Sequence, residues 1–173
     1  MELNTAISLI RDGVSSHGDG AAIWADLGAG SGLFTRALAS LLPVNSTIYA
    51  VDKDPNALNS IPWDQQGKSM IPVVSDLTSN FELPPLDGVL IANALHFLPD
   101  PVQYLTRIKS MITDRGSIIV IEYDTDSGNR WVPYPISLGR MKMHAASLRL
   151  DVKLLGTEKS KYNAGSMYSA LLY

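Results

Sequence analysis

Cysteine is absent from this 173-residue chain, which excludes disulfide scaffolds, thiolate zinc sites, iron–sulfur clusters and cysteine nucleophiles. A cytoplasmic location agrees with that absence. No apolar run approaches the roughly 20 residues that cross a bilayer. The best, Gly88 to Leu98, is interrupted by Asn93 and His96. A secretory leader is not expected either, because Glu2 stands where a leader is basic and the first residues are amphipathic. Internal repeats, low-complexity tracts and linkers are lacking, so one compact domain with no membrane contact is expected. At this length roughly 70% of the unfolded chain's surface can be buried, enough for a core that needs no metal or disulfide.

Charge is sparse, at 18% of residues and a net −3, but it is unevenly spread. Residues 1–127 carry 15 of the 17 acidic side chains and 7 of the 14 basic ones, a balance of −8. Residues 128–173 carry 2 acidic and 7 basic, a balance of +5. Arg130, Arg140, Lys142, Arg149, Lys153, Lys159 and Lys161 either solvate the last elements or offer a surface to an anionic partner such as nucleic acid.

What is present is an alternation of short apolar runs with amphipathic stretches. Strands are predicted over Ala22–Leu27, Thr47–Val51, Met70–Val74, Gly88–Ala92 and Ser117–Tyr123, each apolar enough to be covered on both faces. Helices are predicted near the N-terminus (1–17), over Leu33–Leu42, from Pro55, and over Pro101–Ile112, where Asp100 is a good N-cap. A loop to Pro135, a helix over Ile136–Leu148 and two runs, Asp151–Gly156 and Met167–Leu172, complete the chain. Their polar link, with Asn163 and Gly165, predicts an antiparallel hairpin. The fold class is α/β: a doubly wound, mostly parallel sheet of seven strands, helices on both faces, closed by that hairpin.

The densest signal is Ile23–Ala39, in which a strand ends at Asp26–Leu27, Gly28-Ala29-Gly30-Ser31-Gly32 turns, and a helix begins near Leu33. Glycines there allow positive φ and close approach of a flat ligand, while the helix N-terminus offers free N–H groups. The dinucleotide fingerprint is G-x-G-x-x-G, which this spacing does not match. Asp26 would repel a pyrophosphate and suits a ligand that carries an ammonium group. Asp52, ending the second strand, is placed for two hydrogen bonds to ribose hydroxyls. Asp54 reads as the N-cap of the helix from Pro55.

The segment resembles the first motif, D-x-G-x-G-x-G, of the class I S-adenosylmethionine-dependent methyltransferases. Asp52 matches the second motif, Val73-Val74-Ser75-Asp76-Leu77 the third, and Leu86–Pro101 the fourth, where an aspartate opens the strand. The resemblance covers about residues 20–101, and the closing hairpin extends it. It implies a Rossmann-like sheet over 21–123 and an acceptor side over 124–173. It also implies that Asp26, Gly28, Ala29, Gly30 and Gly32 hold the amino-acid end of S-adenosylmethionine. Asp52 would take the ribose, Lys53 would flank the adenine edge, Asp76 and Leu77 would hold the adenine, and Asn93 would meet the cofactor.

Methyl transfer from a sulfonium needs in-line placement, and a base only where the acceptor must lose a proton. His96 and Tyr123 are the catalytic candidates; His96 could also simply pack beside the next helix. Trp131 and Tyr134 could wall the acceptor site or cover the core. Asn93-Ala94-Leu95-His96 departs from the N-P-P-Y pattern of amine and amide methylators, which leaves a small-molecule acceptor, and a monomer or homodimer, as the expectation. The alternatives are an RNA acceptor held by the basic segment, a nicotinamide-dependent oxidoreductase, and a non-catalytic cofactor-binding domain.

Overall fold

The computed structural model describes residues 1–15, 20–63, 67–160 and 165–173. Lys161 and Asn163 lie outside the described residues. The elements in chain order are α1 (Leu3–Val14), β1 (Ile23–Leu27), α2 (Leu33–Leu41), β2 (Thr47–Asp52), α3 (Pro55–Asn59), β3 (Ser69–Val74) and β4 (Leu86–Ala92). A 3-10 turn at Leu95–Phe97 follows, then α4 (Pro101–Lys109), β5 (Ile112–Tyr123), α5 (Leu138–Ser147), β6 (Val152–Lys159) and β7 (Ser166–Leu172).

The strands form one sheet in the order β3-β2-β1-β4-β5-β7-β6. The first five run parallel, and β7 pairs antiparallel with both β5 and β6. The seven-stranded, mostly parallel sheet with its closing hairpin is the expected architecture. Successive strand residues face opposite ways, and the apolar runs use both faces. Val89, Ile91, Ile118 and Val120 join a core with α4 and α5, through Leu105, Ile108, Met141 and Ala145. Leu90, Ile119 and Ile121 join the other core with α1 and α2, through Leu9, Ile10, Ala37 and Leu38. Each fully buried aliphatic side chain contributes about 1.5–3 kcal/mol to this packing.

Two expectations need correction. The helix predicted over Pro101–Ile112 ends at Lys109, and Ile112 instead opens β5 opposite Leu86. Ile112 keeps the helical spacing of Leu105 and Ile108, but the chain turns at Ser110, whose N–H reaches back to Thr106 and Arg107. The other concerns β3, which is not covered on both faces. It lies at the sheet edge with Ile71 and Val74 39% and 60% exposed, and Pro72 is tolerated there because an edge strand can forgo one ladder donor.

Order β2-β1-β4 sets β1 beside β4 with their connections departing in opposite directions. At such a switch point the loops at the strand C-terminal ends part and leave a crevice.

Candidate functional site

Gly28, Gly30 and Gly32 all hold positive φ (84°, 51° and 80°), but their surroundings differ. A Cβ on Gly28 would come within 2.6 Å of the Ala94 Cβ, and one on Gly32 within 2.5 Å of Ile61. These two glycines let the loop pack on its neighbours. A Cβ on Gly30 would meet nothing within 4 Å. Beside Gly30 there is open space.

The loop is tied to β2. Gly28 N–H and Ala29 N–H donate to the Val51 carbonyl at 2.8 and 3.0 Å, and Gly30 N–H donates to Asp52 Oδ2 at 2.8 Å. Asp54 N–H donates to Asp52 Oδ1 at 3.0 Å. A carboxylate accepts about four hydrogen bonds, so Asp52 keeps capacity on both oxygens while it fixes the loop. Asp54 caps α3 through the Asn56 N–H, as its position predicted.

A cleft of about 350 Å³ opens beside this loop, and Gly28, Asp52, Lys53, Asp76, Leu77 and Asn93 help line it. Asp76 Oδ1 accepts from Thr78 N–H and Oγ1–H at 2.8 and 2.7 Å, which holds its carboxyl below the usual range. Asn93 leaves β4 with φ 53°, its N–H given to the Ile121 carbonyl at 2.9 Å. Its side-chain Oδ1 is buried without a partner. A buried acceptor in this condition costs about 1–3 kcal/mol unless a donor arrives.

Asp26 sits apart from the cleft lining. It is 1% exposed, and its Oδ2 accepts from Thr35 Oγ1–H at 2.6 Å. Burial pushes its pKa up to about 7; the Thr35 hydrogen bond opposes that shift and the nearby Asp52 charge adds to it.

A second cavity, of about 640 Å³, is lined by Asn93, His96, Phe97, Tyr123, Asn129, Trp131 and Val132. His96 stands on the 3-10 turn, 2% exposed, with Nδ1 2.7 Å from Glu122 Oε2. Glu122, at the C-terminal end of β5 and fully buried, also accepts from the backbone N–H groups of His96 and Tyr123. A carboxylate on Nδ1 places the imidazole proton there and leaves Nε2 as the nitrogen able to accept. The His96 ring lies 4.3 Å from Phe97 and 5.6 Å from Tyr123 between centroids. Trp131, 70% exposed, stands under the Arg130 guanidinium at 4.7 Å. Tyr134 is outside this lining, and its N–H donates to the His96 carbonyl at 3.0 Å. Asn93 and Tyr123 also border a third cavity, of about 260 Å³, beside Leu33 and Phe34 of α2.

The sequence profile of the methyltransferase domain family matches residues 25–118, more than half of the chain, from the middle of β1 to the middle of β5. The chain belongs to that family. A search of curated protein sequences finds no match to this methyltransferase. Among solved structures, a SAM-dependent methyltransferase from Leishmania major aligns at TM-score 0.76 and 17% identity, over 99% of this chain and 72% of the other. Magnesium protoporphyrin IX methyltransferase from Synechocystis, solved with SAM, aligns at 0.72 and 14%, over 98% and 78%. Human N-acetylserotonin methyltransferase, also with SAM, aligns at 0.69 and 19%, over 97% of this chain and 51% of the human one. At these identities the likeness shows a shared fold.

The residue missed in the sequence reading of this methyltransferase is Glu122. Its signal was a lone carboxylate inside the apolar run Ile118–Tyr123, where a buried charge needs a partner. The partner, 26 positions away, is visible only in the fold. The described basic residues of the last quarter, from Arg130 to Lys159, are all exposed and stand on separate elements: the loop before α5, α5, the turn after it, and β6. Among the described residues no helix is long and apolar enough to cross a membrane, and no cluster of metal-ligating side chains occurs.

Proposed function

We propose that this methyltransferase transfers a methyl group from S-adenosylmethionine to a small-molecule acceptor held in the 640 Å³ cavity. The observation that carries the reading is the position of Asn93, which borders that cavity, the cleft beside the glycine loop and the third cavity alike. Donor and acceptor spaces thus share one wall, as in-line displacement requires.

The donor supplies an activated methyl on a sulfonium. The chain's residues fit it: Gly30 leaves the space for a flat approach, Asp52 has lone pairs for two ribose hydroxyls, Lys53, Asp76 and Leu77 surround the adenine, and the Asn93 Oδ1 gains the donor it lacks. Asp26 supports the loop through Thr35 and acts on the donor's ammonium through its charge. His96, its tautomer set by Glu122, takes the acceptor's proton at Nε2. Tyr123 shapes the space, and Trp131 forms its outer wall, with Tyr134 as an outer flank.

The test is release of S-adenosylhomocysteine over a panel of small acceptors bearing ionisable hydroxyl, thiol or amine groups, with RNA alongside. Turnover on a small acceptor is expected, falling about 10²–10⁴-fold in His96→Gln with cofactor affinity retained. Methylation of RNA alone would contradict the reading.

A further inference from the structure

A further cavity, of about 530 Å³, lies between the segment after β3 and the helix α4. It shares Leu77, Thr78 and Leu98 with the cofactor cleft, while its remaining lining comes from Asn80, Pro99, Asp100 and α4. Two of its lining residues, one helical turn apart, carry polar atoms with no use in the fold. Tyr104 is 7% exposed, and its hydroxyl is buried without a hydrogen-bond partner. Arg107 is anchored at one end, with Nη1 donating to the Leu77 carbonyl at 3.3 Å and the guanidinium 4.4 Å over the Phe81 ring. Its Nη2 is buried and has no partner.

Both orphans are donors. A guanidinium has N–H groups and no lone pair to offer, and burial raises the Tyr104 pKa, so the phenol stays protonated and able to donate. Two unsatisfied buried donors on one helix face destabilise the protein unless an acceptor meets them. A planar fork beside a hydroxyl suits an oxygen pair that carries negative charge. Asp100 also lines the cavity, with Oδ1 committed to the Gln103 N–H as the cap of α4, and Asp76 lies close enough to act on Tyr104 electrostatically. These carboxylates offset the Arg107 charge at long range, so the grip rests on the two short-range donors.

We infer that this cavity is a second ligand site, in which Tyr104 and Arg107 bind the carboxylate or phosphate group of a small molecule. Its volume exceeds that of the bare anion, so the group is the anchor of a larger ligand. Through Leu77, which Arg107 holds and which walls both spaces, occupancy bears directly on the cofactor cleft.

The test is thermal unfolding of the full chain, without cofactor, in sodium chloride, sodium acetate and sodium phosphate at matched ionic strength. Acetate or inorganic phosphate is expected to raise the wild-type midpoint above chloride in a saturable way, by roughly 3–5 °C at about ten times its dissociation constant. A response to phosphate alone assigns a phosphorylated ligand, and one to acetate a carboxylate. Tyr104→Phe is expected to unfold at or above the unliganded wild-type midpoint, because its hydroxyl bonds nothing, and to lose most of the anion shift. Arg107→Lys, which keeps the charge and loses the fork, is expected to lose it too. An equal response in chloride, or an undiminished shift in Tyr104→Phe, would overturn the inference. So would an unliganded Tyr104→Phe that melts several degrees early, since its hydroxyl would then already be bonded.

Discussion

Gly30 and Asp26 show how differently residues of one short motif can act. The seven positions from Asp26 to Gly32 hold a buried acid, two glycines that pack on Ala94 and Ile61, and one, Gly30, whose Cβ position is open. Which glycine has open space beside it was not legible, because D-x-G-x-G-x-G reads alike for a packing glycine and an open one. The difference comes from Ala94 and Ile61, which arrive from distant segments. Asp26 was legible as an acid just before the glycine loop, but its bond to Thr35 of α2 was not. Its pKa of about 7 lies above the ordinary 3.8, so between those values the folded state holds a proton that the unfolded chain has lost. Stability from this group therefore falls as pH rises from about 4 to about 7, by at most about 4 kcal/mol. In urea unfolding without cofactor, Asp26→Asn is expected to shrink the stability difference between pH 5 and pH 8. Parallel pH profiles for the two proteins would contradict the assignment.

Elements were legible where pattern and boundary chemistry agreed. Asp54 and Asp100 before their prolines mark α3 and α4, and both side chains accept the expected backbone N–H. Legibility failed where tertiary contacts decide. The start of β5 at Ile112 follows from pairing with Leu86, and the exposure of β3 from its place at the sheet edge. The contact of β1 with β4 was equally hidden: Trp24, fully buried, lies over Gly88, where a Cβ would fall 2.3 Å from the indole. The tryptophan fills the space a side chain would take, and it seats the two strands whose ends build the site. Gly88→Ala is expected to cost about 1–3 kcal/mol by overpacking, read as a midpoint roughly 2–10 °C lower. An unchanged midpoint would mean that Trp24 has another place to go.

At the scale of the whole molecule, the sheet order puts the glycine loop, Asp52 and Asn93 around one crevice and carries His96 and Glu122 to the neighbouring cavity. The strand ends around this crevice were legible because four apolar runs in order carry a polar residue, Asp26, Asp52, Asp76 or Asn93, at or just past their ends. The neighbouring cavity was not, since it depends on a loop folding back over the ends of β4 and β5. The net −3 hides an acidic first three quarters that carries the cleft and a basic last quarter whose described residues are spread over a loop, α5, the turn after it and β6.

The central claim is that the cleft between the glycine loop, Asp52 and Asn93 binds the methyl donor, and calorimetry with S-adenosylhomocysteine tests it most directly. Micromolar binding is expected, weakened by about 1–3 kcal/mol in Asp52→Ala through lost ribose hydrogen bonds and abolished in Gly30→Val, whose side chain enters the space the ligand needs. No heat at millimolar ligand, or equal affinity in all three folded proteins, would contradict the account.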